Sequence, residues 1–142
     1  MYKLRHIGIA VSDLEESLKF YKDLLGFKVV SDMLEDTKFI NSLMTFPVGR
    51  VRIVKLLAGE CIIELLDFYD VKHGVSNDMC NIGYTHIALT VKDLDILYDK
   101  LSHEGIMFFT YPKINIEGTA KLCFCCDPDL NIIELVEEFY DS

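Results

Sequence analysis

The stretches HIGIAVSDL, residues 6–14, and HIALTVKDL, residues 86–94, decide the fold because they state one pattern twice. Both begin with His, end in Asp-Leu, and alternate apolar residues with the period of a β-strand. One strand face carries branched apolar residues in both copies. The opposite face carries His6 or His86 beside small residues. The repeat therefore predicts two similar modules, each beginning with a strand. One face of this strand packs apolar side chains, and the other face leaves space beside the His.

A helix is predicted after each of these strands. Ser12 and Glu15 form a capping-box pattern, and Asp93 is placed to cap the second helix. Apolar residues then recur at helical spacing until Gly26 and Gly105, which predict the helix ends. Further strands are expected at about 27–33 and 106–111.

The ends of the two modules also match, since CIIELLDF at 61–68 and NIIELVEE at 131–138 share IIEL. Each follows a hairpin partner, VRIVKLL at 51–57 or KLCFCC at 121–126, across a turn rich in turn-forming residues. The predicted organisation is a single domain, 1–142. It contains a first module, 1–69, a polar connector, 70–82, and a second module, 83–142.

Composition narrows the possible partners and compartments. The net charge of −9 argues against nucleic acid and anionic membrane surfaces as partners, because binding phosphates needs basic patches. No apolar run reaches the roughly 18 residues of a membrane helix, and no signal peptide is recognised at the N-terminus. The odd number of cysteines, five, matches no secreted disulfide framework, so a cytoplasmic protein is predicted.

Four polar residues recur at equivalent places of the two modules: His6, Glu64, His86 and Glu134. Taken singly, each is explained by a half-buried sheet with one wet face. However, apolar residues such as Ile62 and Ile132 share the face of each Glu, and a carboxylate among them is costly unless it is paired or bound to a cation. Two imidazoles and two carboxylates suit a divalent transition metal that keeps positions open for substrate oxygens. The sequence therefore predicts a metal site built from these four residues.

Other candidates carry a weaker signal. The stretch 35–50 is expected to cover the site with an apolar wall formed by Phe39, Met44 and Phe46, or else to be a plain surface loop. Arg50 and Arg52 are candidate contacts for a substrate anion, although an arginine at a strand start is usually solvated. Three cysteines near the C-terminus are interpreted as buried small hydrophobes and not as a thiolate cluster: Cys123, Cys125 and Cys126.

With these residues placed, the sequence resembles the vicinal oxygen chelate superfamily, the group of glyoxalase I, bleomycin-resistance proteins and methylmalonyl-CoA epimerases. The matching motifs are HIGIAVSDLEESLKFYKDLLGFKVV, IIELL, THIALTVKDL and DPDLNIIELVE, which run through almost the whole chain. The resemblance implies an α+β fold of two tandem βαβββ modules that form a cupped eight-stranded mixed sheet, and a homodimer. It also implies that His6, Glu64, His86 and Glu134 ligate a divalent metal, of which Ni, Zn, Co, Mn and Fe are all admitted.

The resemblance implies a metal-dependent lyase or isomerase of the glyoxalase I type acting on a small molecule. The metal stabilises an enediolate of an oxygen-chelating substrate, and a Glu moves the proton. Glu134 is favoured as this base on family analogy, with Glu64 as the alternative.

The chain departs from its relatives on the substrate side. Bacterial-type glyoxalase I carries Asn-Trp-Gly just after the middle Glu, whereas this chain reads ELLDFYDVKHG and has no Trp. The usual DPDGN turn reads DPDLN, and since Leu tolerates positive φ poorly, Asn131 or a different turn is expected to take that conformation. A non-enzymatic small-molecule binding protein, an epimerase-like activity and a dioxygenase therefore stay open beside the lyase.

Overall fold

The chain divides into two compact units, Met1–Gly74 and Val75–Ser142. The computed structural model describes residues 1–35, 38–43, 47–74 and 79–140. The boundary between the units falls inside the predicted connector 70–82, part of which lies outside the described residues. No helix in the described ranges is long and apolar enough to cross a membrane.

The first unit is a four-stranded mixed sheet with order β1-β4-β3-β2. Strand β1 pairs in parallel with β4, and the other pairs are antiparallel. Helix α1 runs directly into a π-helical segment, Lys19–Leu24, which ends before Gly26 at a φ of 78°. The elements are β1 (Ile7–Ala10), α1 (Leu14–Leu18), β2 (Lys28–Glu35), α2 (Lys38–Leu43), β3 (Val51–Ala58) and β4 (Cys61–Phe68).

The second unit repeats this plan with sheet order β5-β8-β7-β6. Again the first strand pairs in parallel with the last, and the other pairs are antiparallel. Its elements are β5 (His86–Thr90), α3 (Leu94–His103), β6 (Lys113–Ile114), β7 (Ala120–Cys126) and β8 (Ile132–Glu138). The βαβββ order predicted from the repeat is thus confirmed in both units, with one additional short helix, α2, in the first.

The strand predicted at 106–111 is wrong in its extent. This segment follows β7 through separate hydrogen bonds, such as Phe109 N to Phe124 O at 3.0 Å, and through one isolated bridge at Phe108. Regular pairing begins only at Lys113. Pro112 lies just before it and has no backbone N–H to donate, so the ladder is not continuous through this point.

The two faces of each sheet differ as the alternation predicts. Ile63 and Leu65 on β4, and Ile133 and Leu135 on β8, are buried on the side that helices α1 and α3 cover. Because successive residues of a strand point to opposite faces, Glu64 and Glu134 lie on the other side.

Helices α1 and α3 each begin at a residue whose backbone N–H donates to a carboxylate on the last strand of the same unit. The backbone N–H of Leu94 donates to Glu137 Oε2 at 2.9 Å, and that of Leu14 donates to the carboxylate of Asp67. Asp13, one residue after the predicted cap Ser12, caps α1 by accepting from Glu16 N at 3.1 Å. Asp93 occupies the predicted N-cap position of α3, but its side chain makes no capping hydrogen bond there.

The DPDLN turn corrects the expectation that another residue takes the positive φ. Leu130 itself has a φ of 66°. Asp127, which is buried, holds the turn: its Oδ1 accepts from Asp129 N at 2.9 Å and from Asn131 N at 2.8 Å. These bonds fix the backbone path, so the residue at 130 takes the left-handed conformation whatever its side chain.

Candidate metal centre

Parallel pairing of the first and last strands brings one His and one Glu together in each unit. Gly8 lies opposite Glu64 in the β1–β4 register, and Ala88 lies opposite Glu134 in the β5–β8 register. The His precedes this small residue by two positions, so its side chain shares the same face. The small side chains of Gly8 and Ala88 leave room between imidazole and carboxylate.

The two pairs use the same atoms. His6 Nε2 lies 3.3 Å from Glu64 Oε2, and His86 Nε2 lies 3.0 Å from Glu134 Oε2. The other ring nitrogen of His86 is 2.7 Å from Thr85 Oγ1. A partner on Nδ1 fixes the ring orientation and leaves Nε2 to face Glu134, as in imidazoles that ligate metals.

Both carboxylates are largely withdrawn from water. The side chain of Glu64 is 12% exposed and that of Glu134 is 19% exposed. The imidazoles are more open, at 36% for His6 and 30% for His86. A carboxylate withdrawn in this way needs a cation or hydrogen-bond donors near it, and in each unit the imidazole supplies part of this requirement.

Sequence reasoning missed Lys55, which contacts Glu64. Its Nζ lies 3.4 Å from Glu64 Oε1, the oxygen that does not face His6. The signal was available, because the turn at Gly59 and Glu60 joins β3 to β4 and sets the register in which Lys55 lies opposite Glu64. Counting back from that turn identifies Lys55 as the neighbour.

Sequence reasoning also missed the aromatic residue at the same place in the second unit. Phe124 lies opposite Glu134 in the β7–β8 register. Its ring meets His86 edge to face at a centroid separation of 5.4 Å, and Phe109 stacks on it at 6.3 Å. Glu64 thus has a cationic neighbour, whereas Glu134 has an aromatic one.

The donors present fit a divalent transition metal. Two donor atoms that each lie about 2.1 Å from one ion are about 3.0 Å apart at a right angle and about 3.4 Å apart at the tetrahedral angle. The Nε2–Oε2 separations of both pairs fall in this range. Within either unit, the described residues bring no third His, Cys, Asp or Glu to the pair. The joint use of all four residues as ligands of one ion therefore stays a proposal.

Both candidate arginines are engaged in ion pairs. Arg50 forms a two-pronged pair with Asp70, which lowers the pKa of that carboxyl to about 2. Arg52 binds Asp32 and Glu15 at 2.8 Å each, and hydrogen bonds to both raise its pKa. Arg52 and Lys55 differ by three positions on β3, so Arg52 faces away from Glu64, toward the helix side. A role of either arginine in substrate binding stays a prediction.

The predicted apolar wall is only partly within the described residues. Phe39 lies on α2 and is mostly exposed, whereas Met44 and Phe46 lie outside the described ranges. The cysteine interpretation is confirmed, because Cys123, Cys125 and Cys126 are all buried. Burial raises the pKa of the Cys125 thiol to about 12, which keeps it protonated and unsuited to ligate a metal.

Comparison with known proteins identifies a family. Residues 3–135 match the sequence model of the Glyoxalase/Bleomycin resistance protein/Dioxygenase superfamily. The chain is 31% identical to the lactoylglutathione lyase of Schizosaccharomyces pombe; the match covers 96% of the chain but only 48% of that protein, so the chain spans about half its length. It is 30% identical to a probable lactoylglutathione lyase of Synechocystis, with 94% of each chain covered.

Structural comparison agrees with the sequence match. A glyoxalase family protein from Bacillus cereus superposes with a TM-score of 0.86, at 18% identity, over 99% of this chain and 96% of that one. At this identity the likeness concerns the fold alone.

Proposed function

The chain belongs to the Glyoxalase/Bleomycin resistance protein/Dioxygenase superfamily, and on this basis we propose that it is a metal-dependent lyase or isomerase of the glyoxalase I type. Its ligands in this proposal are His6, Glu64, His86 and Glu134. Relatives named lactoylglutathione lyase match nearly the whole chain and support a glyoxalase-like activity. The homodimer that family membership suggests is part of the proposal.

The repeated His–Glu pair is the observation that carries the proposal. Both units place Nε2 of an imidazole beside Oε2 of a withdrawn carboxylate, through the same parallel strand pairing. A polar pair that only decorated a wet face would not require the same atoms at the same register twice. Glyoxalases of this superfamily generally use a divalent metal.

The chemistry assigns different tasks to metal and protein. When bound, a divalent ion supplies Lewis-acid polarisation of the substrate oxygens. Glu134 removes the proton from the substrate carbon next to the carbonyl group and delivers it to the former carbonyl carbon. Phe124 lies opposite this carboxylate and, as an apolar ring, offers it no competing ion pair. Thr85 orients His86.

A binding protein without catalysis is the second candidate. It is favoured by the absence of tryptophan and of the Asn-Trp-Gly stretch expected after Glu64, since these belong to the substrate side of related lyases. Such a protein would retain a small molecule, and a metal with it, without moving a proton.

The first test is the metal content of protein purified without chelator, compared with His86→Ala and His103→Ala variants. His103 lies at the end of α3 with its Nδ1 near Asp99 O, so its replacement controls for loss of an imidazole elsewhere. We expect about one equivalent of metal in wild type and His103→Ala, and a marked loss in His86→Ala. Wild-type protein that contains no metal and takes none up would refute the proposal.

The second test separates lyase from binding protein. We expect Glu134→Gln to retain the metal and to lose about 100-fold or more in the rate of hemithioacetal isomerisation with methylglyoxal and glutathione. Incorporation of solvent deuterium into the product, or into related α-hydroxy carbonyl compounds, is to be measured in parallel. Full turnover in this variant would remove Glu134 from the mechanism. Metal binding without any proton exchange would favour the second candidate, a binding protein without catalysis.

A further inference from the structure

Lys55 is the charged residue on an otherwise apolar face of strand β3. It lies in the middle of β3, flanked two positions away on the same face by Ile53 and Leu57, and opposite Ser31 on β2. Its side chain is 39% exposed, so the ammonium group can be reached from solvent. A lysine on an otherwise apolar strand face differs from the solvated lysines of a protein surface.

The contact between Lys55 and Glu64 is loose. At 3.4 Å the Nζ–Oε1 separation exceeds the 2.7–2.9 Å of a close charge-assisted hydrogen bond. By contrast, Lys121 approaches Asp95 to 2.6 Å. Among the described residues, Glu64 is the carboxylate within ion-pair distance of Lys55. An ammonium group has three N–H donors, so this contact leaves donor capacity in Lys55.

The second unit shows that this module fold has no structural need for the cation. The residue in the same register is Phe124, opposite Glu134, and the strand order and hairpin are the same. The two units have thus kept one His–Glu pair each while placing different chemistry beside it. A difference in charge directly beside a candidate ligand points to substrate recognition.

We propose that Lys55 is a specificity-determining residue that binds an anionic oxygen of the substrate, and that the site accepts α-hydroxy or α-keto carboxylates beside the hemithioacetal. This inference rests on the proposed function, because it places the anion beside the Glu64 ligand. If Glu64 ligated a metal, its negative charge would be neutralised largely by the ion. The ammonium group of Lys55 could then bind a second anion. A carboxylate supplies that anion, whereas a neutral hydroxyketone does not.

The experiment compares two probes of nearly the same shape, glycolate and hydroxyacetone, which differ by a carboxylate in place of an acetyl group. Their binding to the Ni²⁺-loaded protein is measured by isothermal titration calorimetry for wild type, Lys55→Met, Lys55→Arg and Lys121→Met. Lys121→Met removes the same charge from a strand of the other unit and serves as the matched control. Titration of Ni²⁺ into each apo protein gives the metal affinity separately.

We expect Lys55→Met to bind glycolate about tenfold more weakly, since a charge-assisted bond is lost, and to bind hydroxyacetone unchanged. Its affinity for Ni²⁺ is expected to be equal or higher, because an ammonium group beside the ligand Glu64 is removed. Lys55→Arg should retain glycolate binding, and Lys121→Met should behave as wild type. Weaker glycolate binding with undiminished metal affinity is not produced by a general loss of structure.

Three results would overturn the inference. Glycolate binding that is unchanged in Lys55→Met excludes the contact, and an equal weakening of both probes excludes specificity for the anion. Both results leave the metal site intact and refute the inference alone. Failure of the wild type to take up Ni²⁺, Co²⁺, Zn²⁺, Mn²⁺ or Fe²⁺ refutes the proposed function and the inference together.

Discussion

Leu130 allows a sharp test of the strained turn between β7 and β8. Its φ of 66° is a conformation in which the Cβ of an L-residue meets the following carbonyl oxygen, at a cost of about 1 kcal/mol or slightly more. The turn cannot relax, because Asp127 accepts hydrogen bonds from the amides on both sides of it. Replacing Leu130 by Gly should relieve the strain, and replacing it by Ala should not.

Comparing Leu130→Gly with Leu130→Ala isolates this strain from lost contacts. Both variants remove the part of the leucine side chain beyond Cβ, so the partly exposed apolar contacts of Leu130 cancel. We expect the Gly variant to be more stable than the Ala variant by about 0.5 kcal/mol, because roughly 1 kcal/mol of relieved strain is partly offset by the larger entropy of Gly in the unfolded chain; this is the reverse of the usual order. The same pair of substitutions at Asp129, whose φ is not positive, should show Ala more stable than Gly by about 0.5 kcal/mol.

The assay is equilibrium unfolding in urea for the four variants, with equal slopes required before midpoints are compared. If Leu130→Ala equals or exceeds Leu130→Gly in stability, the left-handed conformation carries no cost, and the reasoning about this turn is refuted. If the order at Asp129 is also reversed, the effect belongs to the whole loop and not to residue 130.

Two further predictions follow from buried groups. Ser17 is fully buried, and its Oγ has no hydrogen-bond partner among the described residues. Ser17→Ala should therefore raise the free energy of unfolding by about 1 kcal/mol, and a loss of stability in urea would show that the hydroxyl has a partner. Burial raises the pKa of the Cys125 thiol to about 12, so at pH 8 iodoacetamide should modify native protein only at the exposed Cys61 and Cys80. Peptide mass spectrometry checks this, and rapid modification of Cys125 without denaturant would contradict its burial.

Much of the fold could be predicted from the repeat. The phrases at 6–14 and 86–94 indicate a strand followed by a helix, and the two IIEL stretches indicate the strand that returns beside each first strand. Their alternation correctly divides each sheet into a helix-covered face and a face with His and Glu. The alternation works because, in the described part of the chain, α1 packs on β4 and α3 packs on β8 from the face opposite to the Glu.

The errors arise where tertiary contacts override a local pattern. The segment 106–111 has strand-forming residues, yet its ladder is interrupted and pairing resumes only after Pro112. At Leu130 the hydrogen bonds to Asp127 outweigh the intrinsic preference of Leu for negative φ. Neither effect is visible in the local sequence alone.

The candidate site was predicted as residue types but not as neighbours. The four residues follow from equivalence between the modules, and the structure places each His beside the Glu of its own unit. A repeat identifies only the residues that the two modules share. Lys55 and Phe124 occupy equivalent positions but differ in type, so the repeat does not identify them. Pairing the strands across their turns would have found both.

The engagement of each helix start by the last strand of its own unit has a consequence for how the chain folds. Leu94 opens α3, yet its amide is bonded only when Glu137 arrives, more than forty residues later. When β5 and α3 have emerged from the ribosome, the strand that carries Glu137 has not yet emerged. In the first unit, Leu14 likewise emerges well before Asp67. Each unit should consequently remain uncommitted during synthesis until its final strand emerges, and then fold in one cooperative step.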